Sequence, residues 1–137
     1  MVVLPVAGTL YARAVLLDTG AFLALADPQD VDHAIAEGCL SRIAELRLPA
    51  VVTVPTVYES HRRLLHSIGE MQGRRFLERV FDGSVNIVRT TGDDEQQAIS
   101  LIDRYKSLEL TLTDAANMAV MTRLQIGAVF SFDRHFL

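Results

Sequence analysis

Apolar positions along the chain form short continuous runs that alternate with longer stretches of helical spacing. The continuous runs cover residues 15–17, 51–54, 85–88 and 128–132, and each has the length and branched composition of a buried strand. The helical stretches cover residues 21–26, 31–46, 56–68, 71–81, 91–105 and 113–126. Because strands alternate with helices, the pattern predicts an α/β fold in which helices cover both faces of a parallel sheet.

The predicted helices have end signals and apolar stripes that should face the sheet. Pro49 and Gly69 mark helix ends, Thr91 with Asp94 three residues on predicts a capping box, and Thr113 is predicted as the N-cap of the last helix. The predicted stripes are Val31, Ile35, Cys39, Ile43 and Leu46; Val57, Leu64, Leu65 and Ile68; Ala98, Leu101, Ile102 and Tyr105; and Ala115, Met118, Ala119 and Thr122.

The length of 137 residues favours a single domain, and a hydrophobic content of 50% is sufficient for a substantial core. Residues 1–14 are mildly apolar, but Pro5 and Gly8 interrupt them and no basic segment precedes them, so a secretory signal is not predicted. We expect residues 1–14 to be an N-terminal extension, either a flexible tail or a start-site artefact. Residues 15–137 are expected to form the domain.

The remaining composition indicates a cytoplasmic protein. No apolar run approaches the roughly 20 residues of a membrane span, so no membrane association is predicted. The single cysteine, Cys39, cannot form an internal disulfide and lies in an apolar stripe, which is typical of a buried structural thiol in a reducing compartment.

Four acidic residues, Asp18, Glu59, Asp114 and Asp133, lie at the ends of strand-like runs or at the starts of predicted helices. In an open α/β sheet, ligands bind outside the carboxyl ends of the strands, so acids from four distant stretches can share one pocket there. Crowded carboxylates repel one another, and a hard cation such as Mg²⁺ relieves that repulsion. The pattern therefore predicts metal-dependent phosphate chemistry.

Each acid also has a structural interpretation. Thr56 and Glu59 have the spacing of a capping box, and Asp114 would lie in a first helical turn, where the helix dipole favours an anion. Asp133 has Arg134 as a neighbouring partner. Asp18 is harder to explain structurally, because a carboxylate beside a buried strand is costly without a cation or hydrogen-bond donors.

Four segments contain these acids: residues 16–22 (LLDTGAF), 55–59 (PTVYE), 112–115 (LTDA) and 130–136 (FSFDRHF). Together they resemble the four acidic motifs of PIN-domain nucleases, and within that superfamily they most resemble VapC-type toxins of bacterial type II toxin–antitoxin pairs. The resemblance runs from about Val15 to the C-terminus. It implies a PIN-like three-layer α/β/α fold with a central, mainly parallel sheet of four to five strands.

The resemblance also implies a ribonuclease that uses Mg²⁺, with Mn²⁺ as a substitute, to activate water against an RNA phosphodiester. Asp18, Asp114 and Asp133 would be the metal ligands, and Glu59 would complete the catalytic set. The hydroxyls of Thr113 and Ser131 would lie beside the acids and support them.

An acidic pocket repels RNA, and the net charge of −4 offers no general attraction, so binding requires a local basic face. Residues 61–79 are rich in arginine and hold two glutamates. Contacts from this segment to phosphates would position an RNA strand without reading its sequence, unless the arginines are merely solvated or paired with acids. The predicted RNA-binding residues are Arg62, Arg63, Arg74, Arg75 and Arg134.

The expected partners are an antitoxin with a basic tail and a second copy of the chain. The homodimer is expected because the apolar helical faces between residues 57 and 81 exceed what one small domain readily buries. Two alternative functions remain open at this stage. One is a metal-dependent nuclease or phosphohydrolase acting on DNA or a small phosphoester, and the other is a non-catalytic module whose acidic cleft receives a basic peptide.

Overall fold

The computed structural model describes residues 2–3 and 11–132, and this part of the chain forms five strands and six α-helices. The strands are β1 (Val2–Val3), β2 (Val15–Leu17), β3 (Ala50–Thr53), β4 (Asn86–Val88) and β5 (Ala128–Phe130). The helices are α1 (Thr19–Ala26), α2 (His33–Glu45), α3 (Val54–Ser67), α4 (Glu70–Val80), α5 (Gly92–Arg104) and α6 (Leu112–Leu124), with a 3₁₀ helix at Lys106–Leu108. None of the helices in this part of the chain is long and apolar enough to cross a membrane.

The five strands form one sheet in the order β1-β5-β2-β3-β4. Strands β5, β2, β3 and β4 pair in parallel, whereas β1 pairs with β5 in the antiparallel direction at the edge. The α/β fold with a mainly parallel sheet of four to five strands, predicted from the sequence, is therefore confirmed.

Alternate strand residues pack on opposite faces of the sheet, which separates the molecule into three layers. Val15 and Leu17 belong to a core cluster with residues of α1 to α4, including Phe22 and Leu64. Leu16 belongs to a second cluster together with residues from the end of α6 and the segment after it. Burial of both faces explains why the strands are continuously apolar rather than alternating.

Two helices have an earlier N-cap residue than the one predicted. The side chain of Thr53, the last residue of β3, caps α3, so Thr56 lies inside the first turn and the predicted capping box of Thr56 with Glu59 is wrong. Pro55 explains the early start, because proline suits the first turn of a helix. Thr111 caps α6 by accepting the Asp114 N–H at 3.1 Å, so Thr113 is not the N-cap.

The predicted stripe of α2 is only partly buried. Val31 is 92% exposed and precedes the helix, Ile35 is also exposed, and Ala36 and Ile43 provide the buried contacts. Packing of α2 against α1 selects this face, so the regular spacing from Val31 did not identify the core. Among the other stripe residues, Leu46, Leu65, Tyr105 and Thr122 are also exposed, in contrast to the prediction.

The two helices on the second face are joined by an ion pair whose carboxylate is buried and whose guanidinium is partly exposed. Asp94 is buried in the first turn of α5 and accepts hydrogen bonds from Arg123 of α6, at 2.9 Å from Nε and 2.8 Å from a terminal nitrogen. Asp94 and Thr91 also form the capping box that the sequence predicted. The Arg123 guanidinium, together with the Thr91 N–H, lowers the pKa of Asp94 below its ordinary value.

Cys39 is half-buried in α2, and burial raises the pKa of its thiol. The neutral thiol is therefore favoured at physiological pH, which agrees with a structural residue rather than a nucleophile.

Candidate active site at the carboxyl edge of the sheet

Three neighbouring parallel strands end at the same edge of the sheet, and each brings a polar residue there. Asp18 follows β2, Ser131 follows β5, and Thr53 is the last residue of β3. Because β2 pairs with both β3 and β5, these residues come from adjacent positions along the edge. The carboxyl edge of a parallel sheet is the usual location of a ligand site in such folds.

Asp18 is held in place by hydrogen bonds on both of its carboxylate oxygens. It is 4% exposed, and its Oδ1 accepts the Ala21 N–H at 3.0 Å, so that Asp18 is the N-cap of α1. Its Oδ2 accepts a hydrogen bond from the Ser131 hydroxyl. Together these bonds fix the orientation of the carboxylate group.

Glu59 is connected to the same region through Thr19, the residue after Asp18. The Thr19 hydroxyl donates to Glu59 Oε2 at 2.9 Å, which joins the first residue of α1 to the second turn of α3. Thr19 is buried and Glu59 is half-buried. This contact holds one carboxylate oxygen of Glu59 in place. Because both oxygens belong to one planar group, the orientation of the other oxygen is restricted as well.

Asp114 lies in the first turn of α6 and is half-buried. One helical turn further on, the Asn117 side chain enters a hydrogen-bond network with two threonines of the β3–α3 junction. Residues three apart on a helix have Cβ atoms about 5–6 Å apart, so Asp114 lies immediately beside this network. The network thereby connects α6, which carries Asp114, to α3, which carries Glu59, through hydrogen bonds.

The network itself is fully buried. The Thr53 hydroxyl donates to Asn117 Oδ1 at 2.5 Å, Asn117 Nδ2 donates to Thr56 Oγ1 at 2.9 Å, and the Thr56 N–H donates to Thr53 Oγ1 at 3.4 Å. Thr53 and Thr56 are 0% exposed and Asn117 is 1% exposed. The polar groups therefore satisfy one another in a site that excludes water.

Sequence reasoning did not identify Thr19, Thr53 or Asn117 as residues of this region. A signal for Asn117 was present, because it interrupts the small apolar residues Ala116 and Ala119 on the buried face of α6. A buried amide on such a face requires partners, but the sequence does not reveal that they lie 61 and 64 positions away.

Of the other predicted site residues, Ser131 contacts Asp18 as described, and Thr113 is a half-buried residue in the first turn of α6. Asp133 and Arg134 lie outside the described residues. Across residues 2–3 and 11–132, no three His, Cys, Asp or Glu side chains form a group that would hold a metal ion. The nearby donors are carboxylate and hydroxyl oxygens, which is the donor set that Mg²⁺ and Mn²⁺ accept.

The predicted basic face is formed by α3 and α4, which pack against each other. Arg62, Arg63 and Arg75 are exposed on these helices. Arg74 is exposed as well, and it pairs with Glu70 one turn earlier. An exposed pair of this kind is weak and leaves the arginine accessible to a phosphate.

The model of the PIN domain family matches residues 15–137. This chain belongs to the PIN domain family. It is 25% identical over 122 residues to Ribonuclease VapC26 of Mycobacterium tuberculosis, a match that covers 88% of each chain. The resemblance carried by the four acidic motifs is thus confirmed for the family.

Solved structures of similar fold agree with this membership. The crystal structure of Mycobacterium tuberculosis VapC20, described as a sarcin-ricin loop cleaving toxin, matches with a TM-score of 0.80 and 24% identity, covering 89% of this chain and 92% of that one. A toxin–antitoxin complex from Klebsiella pneumoniae matches with a TM-score of 0.63 and 20% identity, covering 87% and 86%. VapBC2 of Rickettsia felis, bound to promoter DNA, matches with a TM-score of 0.59 and 12% identity, covering 88% and 99%.

Proposed function

We propose that this protein is a metal-dependent endoribonuclease that hydrolyses RNA phosphodiester bonds and is the toxin of a toxin–antitoxin pair. The observation that carries the proposal is the position of Asp18: a buried carboxylate, fixed by two donors, at the carboxyl edge of a PIN-domain sheet. The names of the relatives support RNA as the substrate, because one is a ribonuclease and another cleaves the sarcin-ricin loop.

In this proposal Asp18, Asp114 and Asp133 hold Mg²⁺, with Mn²⁺ as a substitute. The bound cation would supply charge stabilisation for the phosphodiester and lower the pKa of water. Ser131 and the Ala21 N–H hold the Asp18 carboxylate in a fixed orientation. Thr19 similarly restrains Glu59, which would orient the attacking water or accept a proton from it.

Substrate binding is proposed to use the exposed arginines Arg62, Arg63, Arg74 and Arg75, together with Arg134 beside Asp133. These side chains would contact phosphates rather than bases, so they supply affinity and orientation without sequence selection. Binding by this face should therefore weaken steeply as salt concentration rises.

The nucleophile determines the ends of the products, which provides the test of the proposed function. Attack by water with departure of the 3′-oxygen leaves a 5′-phosphate and a 3′-hydroxyl, whereas attack by the ribose 2′-hydroxyl expels the 5′-oxygen and leaves a 2′,3′-cyclic phosphate and a 5′-hydroxyl. We expect cleavage of an RNA hairpin that contains a sarcin-ricin loop to require Mg²⁺ or Mn²⁺, to stop with EDTA, and to give 5′-phosphate ends on mapping by mass spectrometry.

The same assay decides between the alternative functions. A DNA hairpin of equal sequence and a chromogenic phosphoester serve as the competing substrates. If only the DNA or only the phosphoester were hydrolysed, the protein would be a DNA nuclease or a phosphohydrolase rather than a ribonuclease. If none of the three substrates were hydrolysed and a basic peptide still bound, the result would support the non-catalytic module. Cyclic phosphate ends would contradict the proposed mechanism even if RNA were cut.

The proposed antitoxin follows from the similarity to toxin–antitoxin complexes and from the acidity of the site. An Arg or Lys from its tail would pair with Asp18 and Asp114, and a guanidinium can engage a carboxylate through two hydrogen bonds. Such a residue would compete with the cation for the same oxygens. Inhibition is therefore proposed to weaken as Mg²⁺ concentration rises.

The proposed homodimer would use the outer surface of α3 and α4. Apolar side chains on and directly after these helices are exposed, with Tyr58 at 71% and Met71 at 65%, and Leu65 and Phe81 accompany them. Burying such side chains against a second copy would remove apolar area from water.

Met71→Glu should therefore convert a dimer into a monomer, because it introduces a charge into the proposed contact. Multi-angle light scattering at micromolar concentration measures the mass of each form. Ile99→Glu is the matched control, since Ile99 is 54% exposed on α5, away from α3 and α4. A monomeric wild type, or a dimer that survives Met71→Glu and dissociates with Ile99→Glu, would contradict this interface.

A further inference from the structure

The buried position of Asn117 on α6 does not require a polar side chain. The residues beside it on α6, Ala115, Ala116 and Val120, are small or apolar and buried, and an apolar side chain would fit the same pattern. A buried polar group without partners costs free energy, so an asparagine is tolerated here because donors and acceptors across the interface match it.

Those partners lie where the two acid-bearing helices meet the sheet. Thr53 occupies the same side of β3 as Val51, which packs in the core cluster that includes residues of α6. Its hydroxyl is therefore directed towards Asn117, and the distance of 2.5 Å to Oδ1 reflects this direct contact. Thr56 lies in the first turn of α3, and its Oγ1 accepts a hydrogen bond from Asn117 Nδ2 at 2.9 Å.

Two residues of the network, Asn117 and Thr56, each lie one helical turn from a predicted catalytic acid. Asn117 follows Asp114 by three residues on α6, and Thr56 precedes Glu59 by three residues on α3. Hydrogen bonds, rather than apolar contacts alone, therefore connect the first turns of α3 and α6 to the end of β3. Apolar contacts tolerate small shifts and rotations, whereas hydrogen bonds weaken steeply with misalignment.

We infer that Asn117, through Thr53 and Thr56, is a positioning residue that sets the location of Asp114 relative to Glu59 at the carboxyl edge of the sheet. It acts through the helices and does not touch substrate. The inference rests on the proposed function, because it assigns Asp114 and Glu59 to one metal-dependent site. Substitution of a residue that orients a metal ligand without binding the metal itself typically lowers metal affinity or activity about 10–100-fold.

The test compares Asn117→Leu with Val120→Ala. Leucine has a similar size but cannot bond the threonines, whereas Val120→Ala creates a cavity one turn further along the same buried face without affecting the network. We expect Asn117→Leu to weaken Mn²⁺ binding to the metal-free protein about tenfold, measured by calorimetry, and to lower kcat with little change in KM for RNA. Val120→Ala should retain the wild-type Mn²⁺ affinity at a temperature where both variants are folded.

A second matched pair isolates the hydroxyl. Thr56→Val removes the hydroxyl that accepts the hydrogen bond from Asn117 Nδ2, whereas Thr56→Ser keeps it. Mn²⁺ affinity should fall with valine and be retained with serine. Unchanged affinity in both Asn117→Leu and Thr56→Val would overturn the inference, and so would an equal loss in Val120→Ala.

Amide hydrogen exchange separates failure of the inference from failure of the proposed function. If the wild type neither binds Mn²⁺ nor cuts RNA, the proposed function is wrong, and exchange still reports on the network. Asn117→Leu should accelerate exchange in the first turns of α3 and α6 more than Val120→Ala does at equal global stability. Equal exchange in the two variants would overturn the positioning role.

Discussion

Replacement of Asp18 by asparagine should lower RNA cleavage by about a hundredfold or more, while the protein remains folded. A catalytic cation supplies several kcal/mol of charge stabilisation, and about 1.4 kcal/mol corresponds to a factor of ten in rate, so loss of one of its ligands should have a large effect. Asparagine retains an oxygen that accepts the Ala21 N–H, so the N-cap of α1 is preserved. Removal of the charge also relieves repulsion among the neighbouring acids.

The measurements are single-turnover cleavage of a labelled RNA hairpin at saturating Mg²⁺ and thermal melting without metal. Asp27→Asn is the matched control, because Asp27 lies at the other end of α1 and its carboxylate accepts the Gln29 N–H in an exposed turn. Its activity should equal that of the wild type. Full Mg²⁺-dependent cleavage by Asp18→Asn would show that the catalytic centre has been assigned to the wrong residues.

The location of Asp18 was predictable from the sequence because a local pattern determines it. A continuous apolar run gives a strand buried on both faces, and the residue after such a strand lies at the carboxyl edge of a parallel sheet. The same reasoning was less exact for the last strand, which was predicted over residues 128–132 but ends at Phe130, so that Ser131 follows β5 and contacts Asp18. The order of the strands in the sheet was not needed for this prediction.

The positions of the helix starts were less predictable, since several threonines compete as caps. Thr53 and Thr56 both precede a helical pattern, as do Thr111 and Thr113. In each case the earlier residue is the cap. The choice depends on where the chain leaves the previous element, which is a tertiary property and is not contained in the local spacing.

Contacts between distant segments could not be predicted at all. Thr19 meets Glu59 across 40 positions and Thr53 meets Asn117 across 64, and no local pattern relates either pair. The wrong prediction of a buried stripe on α2 has the same cause, because the buried side depends on contacts with a separate helix. Helical spacing shows that Val31 and Ile35 recur on one side, but only the packing of α2 on α1 determines which side is buried.

The ion pair of Asp94 with Arg123 joins α5 to α6 and thereby supports the helix that carries Asp114. Asp94 is buried, accepts bonds from two guanidinium nitrogens, and also completes the capping box with Thr91. Arg123 is partly exposed, so its charge is solvated when the pair is broken. The loss on breaking this pair should therefore lie between that of a buried pair and that of a surface pair.

Asp94→Asn should lower the free energy of unfolding by about 2 kcal/mol at pH 7. The folded-state pKa of Asp94 is depressed, mainly by the Arg123 hydrogen bonds, so its stabilising effect is present above the unfolded pKa of about 4. It is lost as the pH falls through the lower folded-state value. The difference between wild type and variant should therefore be constant from pH 7 to about 5 and shrink below about 4.

Urea unfolding followed by circular dichroism at a series of pH values measures this difference. Asp103→Asn is the control on the same helix, because Asp103 forms an exposed pair with Lys106 at 3.5 Å. That substitution should cost less than about 0.5 kcal/mol at every pH. Two results would contradict the assigned role of Asp94: a stability loss equal to that of Asp103→Asn, or a difference from wild type that persists undiminished as the pH falls well below 4. Either result would mean that the charge of Asp94 does not hold α5 against α6.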